Sequence, residues 1–252
     1  MVFVCSARGK AKVANLDKPG SKASPRFSEE MIQDCLLIMQ SGEVDELFEI
    51  IPRLGVLRDL RFQNPLKSLL QDKDTKKREF AAYAMGAMGN REFLEPLRQA
   101  FGDACSMKGF GVEEFQIAVI EAIGAIGDDA AVEFFLPILK DVDSVRDARK
   151  IRKWIVESLG AIAQQGGSRS LEALFELTAH HEAELRAQAL SELSVAFWHR
   201  PNEVDESILE RMHELTHDSD AVVAEAALGA LQSLADVGCR RAERLFSGED
   251  TL

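Results

Sequence analysis

Ala84-Met85-Gly86-Ala87-Met88-Gly89 returns as Ala122-Ile123-Gly124-Ala125-Ile126-Gly127, and again as Ser158-Leu159-Gly160-Ala161-Ile162-Ala163. Weaker copies follow at Glu192-Leu193-Ser194-Val195-Ala196 and Ala230-Leu231-Gln232-Ser233-Leu234-Ala235, and an earlier one stands at Arg53-Leu54-Gly55-Val56-Leu57. Aligned on Gly86, Gly124, Gly160, Ser194 and Gln232, the copies lie 38, 36, 34 and 38 residues apart, with Gly55 31 residues before Gly86. Self-similarity at this period means a stacked array, because one helical hairpin cannot bury its apolar face alone.

The residues around each anchor specify the hairpin. Upstream comes Lys77-Arg78, Ile151-Arg152 or Leu185-Arg186, about nine residues before the anchor, where a helix is expected to start. Before that stands an acidic pair, Asp72/Asp74 or Asp218/Asp220, with His180/Glu182 as a degenerate version. Asp at a helix N-terminus accepts from unpaired backbone N–H groups and complements the dipole. Ala81, Ala82, Ala84 and Gly86 let a neighbouring helix approach, and a Gly near the end helps stop the helix. A second helix precedes each of these, roughly over 29–40, 58–70, 91–101, 130–140, 168–179 and 204–216. Leu171, Leu174, Phe175 and Leu177 show the apolar spacing of one helical face. Pro65, Pro96 and Pro137 fall inside these second helices and suggest a bend tolerated in each repeat.

The motif D-x-D-x-x-(V)-R-x-x-A-A-x-A-(L)-G-x-(I)-G, matched by Asp72 to Gly89 and in part by Ile151–Ala163 and Asp218–Ala235, resembles the HEAT-repeat family, including bacterial HEAT-like repeats of the phycobilisome lyase type. The resemblance implies an all-α, right-handed α-solenoid of about six HEAT-like helical hairpins. It divides the chain into a basic flexible tail (1–28), a repeat domain (29–246) and a C-terminal tail (247–252). It also implies a concave surface that binds other proteins, and an ion pair from Arg78, Arg152 and Arg186 to an interhelical Asp. Two repeats are irregular: a long link runs from Gly102 to Val112, and an insertion at 141–150 gathers Arg146, Arg149, Lys150, Arg152 and Lys153 beside Trp154.

Charge narrows the partners. The net charge is −12, yet residues 1–26 carry six Lys/Arg against Asp17 alone, which leaves −17 on the rest. Phosphate binding needs a broad positive surface, so nucleic acid is excluded as the main partner. The DNA base-excising class with this architecture would need a basic, aromatic groove; Trp154 and Trp198 are instead assigned to packing between repeats. Cys5, Cys35, Cys105 and Cys239 have neither metal-ligand nor disulfide-framework spacing. No apolar run approaches the 18 residues of a membrane span. A cytoplasmic protein is expected.

The sharpest catalytic string is His213-Glu214-Leu215-Thr216-His217, whose H-E-x-x-H spacing can hold zinc on a helix. The preceding repeat reads Phe175-Glu176-Leu177-Thr178-Ala179 in the same slot, so the string is an ordinary repeat helix in which His213 replaces a core-type Phe. His181-Glu182 and His213-Glu214 fall at different repeat positions, unlike the repeated His-Glu of HEAT-fold di-iron hydroxylases. Gly109-x-Gly111 lacks the strand and the Lys-Ser/Thr of a phosphate loop. No catalytic residue, cofactor or metal is therefore assigned. The slot between the Ala pair and the anchor holds Tyr83, Glu121, Glu157, Ser191 and Gly229, with Arg149, Lys153 and Trp154 alongside. Tyr83, Glu121, Arg149, Lys153, Trp154 and Glu157 are the candidate protein-binding residues, and the partner is expected to be a protein or peptide with a basic surface. The alternative that the resemblance implies is an enzyme or lyase subunit like the bilin lyases.

Overall fold

The computed structural model describes residues 25–107, 109–140 and 148–247. They form thirteen α-helices and, among the described residues, no strand. Six hairpins follow one another: α1 (Pro25–Ser41) with α2 (Val44–Leu57), α3 (Gln63–Leu69) with α4 (Thr75–Met88), α5 (Leu94–Cys105) with α6 (Val112–Ile126), α7 (Val132–Lys140) with α8 (Ala148–Gln164), α9 (Ser168–Leu177) with α10 (Ala183–Ala196), and α11 (Glu206–Leu215) with α12 (Ala221–Asp236). A thirteenth helix, α13 (Arg240–Ser247), packs on α12 and α11 and buries Ala242 and Leu245.

The even-numbered helices pack directly on one another from α2 to α12, whereas successive odd-numbered helices touch sparsely. A two-layer stack spaced more tightly in one layer curves toward that layer, so the even-numbered helices form the inner wall. Their spacing follows from the anchor positions. A Cβ on Gly86 would lie 2.8 Å from Ala122 Cα, and one on Gly124 would lie 2.7 Å from Ser158 Cβ. The anchors are therefore contact points between helices. Termination falls to the residues after them, Gly89 (φ 63°) and Gly127 (φ 74°), whose left-handed backbone favours glycine.

Side-chain caps set the starts. Asp74 and Asp220 accept from Lys76 N and Val222 N at the inner helices, while Asp72 and Asp218 accept from the N–H groups of Asp74 and Asp220. In the fifth repeat His180 Nδ1 accepts from Glu182 N at 3.1 Å, so the histidine does the work of the absent Asp. The inner helices begin two or three residues before Lys77, Ile151 and Leu185, earlier than the sequence suggested. The outer helices open on short 3-10 turns, Leu60–Phe62, Arg91–Phe93 and Asp129–Ala131, capped by Asp59, Asn90 and Asp128. These turns bury Phe62, Phe93 and Ala131 in the core. Pro65 and Pro96 occupy the first turns of α3 and α5, where a proline removes no helical bond. Pro137 lies deeper, inside α7.

The Arg-acid pairing forms between repeats, with one gap. Arg186 donates to both oxygens of Asp218, at 2.9 and 3.1 Å, and holds that carboxyl below its usual range. Arg152 pairs with Glu182 of the next repeat. Arg78, equally buried, meets no carboxylate among the described residues. Its guanidinium lies 4.6 Å over the Phe115 ring and reaches Thr75 Oγ1 and Met107 Sδ. The link before α6 carries no acid at the position that Asp218 holds in the last repeat.

Thermal melting should separate two glycines. Gly86→Ala drives a methyl against backbone and should cost about 1–3 kcal/mol. Gly229→Ala, on α12 with nothing within 4 Å of the added carbon, should stabilise by about 0.5–1 kcal/mol. Asp218→Ala leaves Arg186 in a largely buried setting and should cost about 2 kcal/mol, while Glu184→Ala, which loses an exposed bridge to Arg149, should cost under about 1 kcal/mol.

Candidate functional site

Four inner helices, α4, α6, α8 and α10, present one polar residue each at neighbouring heights. Tyr83 on α4 donates its hydroxyl to Glu121 Oε2 on α6 at 2.9 Å, and its ring meets Phe48 edge-on with centroids 6.4 Å apart. On α8, Glu157 receives Lys153 from one turn earlier at 3.8 Å. On α10, Glu192 reaches back across the bare backbone of Gly160, where a Cβ would lie 2.0 Å from its Oε2. Burial, and then the charge of Glu157, push the Glu192 carboxyl up to about 7. The inner wall thus carries Tyr83, Glu121, Glu157 and Glu192 in sequence.

The other expected residues go elsewhere. Arg149 turns to Glu184 of the next repeat, and its neighbour Lys150 bridges to Glu113 of the preceding one at 2.7 Å. Lys153 is exposed and its carbonyl accepts from Gln188 at 2.8 Å. Trp154 is half-buried and packs against the core. Ser191 and Gly229 continue the slot and are exposed. Arg146 and most of the 141–150 insertion lie outside the described residues. Trp198 departs from the packing role assigned to it: it follows the end of α10 and is 51% exposed. Glu192 went unrecognised because it stands one residue past the aligned slot. Only the glycine opposite it, on the adjacent helix, makes room for its carboxylate.

The H-E-x-x-H string does not assemble. His213 is half-buried on α11 with Nδ1 unpartnered, whereas His217 lies beyond the helix end and pairs with Thr216 Oγ1 at 2.9 Å. Glu214 is exposed and bridges to Arg211 at 3.0 Å. The two imidazole centroids stand 6.1 Å apart, nearly perpendicular. Among the described residues, His180, His181 and Glu182 come closer, with ligand atoms within 4.8 Å of one another. Two of the three groups are already engaged. His180 Nδ1 caps the turn, the Glu182 carboxylate holds Arg152, and Arg186 donates to the carbonyls of both histidines. Burial and the adjacent His181 also lower the His180 pKa. Two guanidinium groups beside the cluster oppose a divalent cation, so the arrangement reads as a helix cap.

A shallow depression of about 470 Å³ runs along the turns after α4, α6 and α8. Its polar walls pair among themselves: Arg91 bonds Asp128, and Asp129 accepts from the backbone of Arg169 and Ser170. No described helix is long and apolar enough to cross a membrane.

A curved two-layer array of this kind, with its Asp caps and small-residue anchors, defines a class, and residues 111–194 match the model of HEAT repeats. The chain folds as an α-solenoid of HEAT-like helical hairpins. Over 146 residues it is 32% identical to phycocyanobilin lyase subunit alpha of Picosynechococcus sp.; the match takes in 56% of the chain and 52% of that relative, so the chain spans about half the relative's length. Among solved structures it is similar to an archaeal HEAT-like repeats protein from Thermococcus onnurineus NA1 (19% identity, 77% of this chain, 81% of the other, TM-score 0.42). It is also similar to a chain of the CpcE–CpcF complex of phycocyanin lyase from Nostoc sp. PCC7120 (16% identity, 95% of this chain, 99% of the other, TM-score 0.39).

Glu192 gives the site a pH signature. An acid whose pKa rises on folding binds its proton more tightly in the native state, so stability falls as pH climbs from about 4.5 to about 7. Glu192→Gln should remove that decline and make the protein about 1–3 kcal/mol more stable at pH 8 than the parent, measured by urea unfolding at pH 5 and pH 8.

Proposed function

We propose that this chain is a HEAT-repeat subunit whose inner face holds a protein partner with a basic surface, and that it works by binding rather than by chemistry of its own. The observation that carries this reading is the row Tyr83, Glu121, Glu157, Glu192 along the concave wall of an acidic body. Three carboxylates on adjacent helices attract a cationic surface, and concavity lets one segment touch several repeats at once. The polar groups around the row engage one another, and among the described residues no nucleophile, general base and orienting partner converge, which supports binding over catalysis. We place the protein in the cytoplasm, which suits the free thiols of Cys35, Cys105 and Cys239.

A second reading has its own support in the relative named above. A subunit similar to a phycocyanobilin lyase would help attach a bilin to a client protein, with the same inner face receiving the client. Co-expression with bilin synthesis separates the two: a bilin absorbance band that co-purifies with the chain favours the lyase reading, and a colourless protein favours the plain scaffold.

A photo-crosslinking amino acid placed at Glu157 of the inner wall, or at Glu172 on the outer face of α9, tests the shared element in the native host. The inner position should capture a discrete protein and the outer should not. With the cross-linker at Glu157, Glu121→Gln together with Glu192→Gln should reduce the captured band about tenfold. Equal capture from both faces would overturn the proposal.

A further inference from the structure

The inner wall does not end at Glu192. Between α10 and α12, near the C-terminal ends of both, lies a groove of about 290 Å³ lined by Trp198, Gly229, Gln232, Ser233, Asp236 and Val237. That volume is at the lower limit of small-molecule sites and fits a single long side chain.

Three observations give the groove its chemistry. Trp198 is 51% exposed although it is one of only two tryptophans, so a large aromatic face stands open to solvent beside the depression. Gly229 sits inside α12, where glycine is unfavourable relative to alanine, yet it lacks the reason that Gly86 and Gly124 have. Nothing lies within 4 Å of where its Cβ would be, so the missing side chain leaves open space beside the indole instead of admitting a neighbouring helix. Asp236 is the last residue of α12, exposed and without an ion pair among the described residues, and the last turn of that helix carries no basic residue. The partial negative charge of the helix C-terminus and the Asp236 carboxylate therefore add at one end of the groove. The neighbouring cation, Arg200, points the other way, over the Phe197 ring and to the Ala163 carbonyl on α8 at 2.6 Å.

We propose that the Trp198–Gly229–Asp236 groove is a binding site for an arginine side chain of a partner protein segment. The indole face and a carboxylate together suit a planar cation. A guanidinium can stack on the ring while its paired N–H groups meet Asp236, a geometry that a lysine ammonium cannot reproduce. Gln232 and Ser233 offer acceptors for the remaining donors. The assignment rests on the reading that a protein binds the inner face, and it adds the residue type read at the C-terminal end of that face.

The two indole N–H signals of the full-length chain, assigned with Trp198→Phe, provide the test. Titration with acetyl-Gly-Arg-Gly-amide should shift the Trp198 signal saturably and leave that of Trp154 in place. The lysine tripeptide should bind at least five-fold more weakly, and the isosteric, uncharged citrulline tripeptide should produce no saturable shift. Asp236→Asn should weaken the arginine peptide about five- to tenfold. Gly229→Leu fills the groove on the solvent side of an intact helix, so it should abolish the response while unfolding at or above the parent temperature. Equal responses to arginine and citrulline, a saturable response retained in Gly229→Leu, or tighter binding of free L-arginine than of the capped peptide would each overturn the assignment. Cross-linking from Glu157 without any arginine response removes the groove and leaves the inner-face reading standing; an arginine response without cross-linking does the reverse.

Discussion

The close approach of adjacent inner helices is the contact on which this molecule depends. Where Gly86 faces Ala122, and Gly124 faces Ser158, two helices meet with almost nothing between their backbones. That spacing draws the inner layer together, leaves the outer helices spread, and so bends the stack. Curvature, in turn, makes the even-numbered helices a concave wall and brings side chains from successive repeats, such as Tyr83 and Glu121, within hydrogen-bond distance. At Gly160 the same vacancy is filled by the Glu192 carboxylate, so one residue type serves packing in the early repeats and charge placement later.

The second ordering force is the ion pairing across repeat boundaries. Arg152 and Arg186 each reach an acid in the following turn, which fixes the angle between neighbours more sharply than apolar contact does. Arg78 has the same position without a carboxylate partner among the described residues, and the Phe115 ring faces its charge instead. The departure coincides with the long link before α6, where Phe110 is 96% exposed. A regular array thus contains a boundary built on different interactions.

Much of the fold was legible in the chain. The six anchors give the number of hairpins, the Asp pairs give the inner starts, and the outer helices fall within a few residues of their expected spans, because these signals are local and repeat. What the sequence hid is relational. Glu192 looks like a surface residue until the helix beside it is known to carry a glycine opposite. Trp198 looks like core because tryptophan usually is, yet it follows the end of α10 and is 51% exposed. The H-E-x-x-H string shows the converse: its local spacing fits a metal motif, but Glu214 bridges to Arg211 and His217 lies past the helix end, paired with Thr216.

Glu192 has an implication for how the inner wall meets its surroundings. A carboxyl that titrates near 7 is half-ionised at neutral pH, so the charge of the concave face is a population rather than a fixed number. Bringing a cation near it favours the ionised form and expels a proton. Association of a cationic surface with this face would therefore be linked to proton release, with an apparent affinity that shifts with the acidity of the medium.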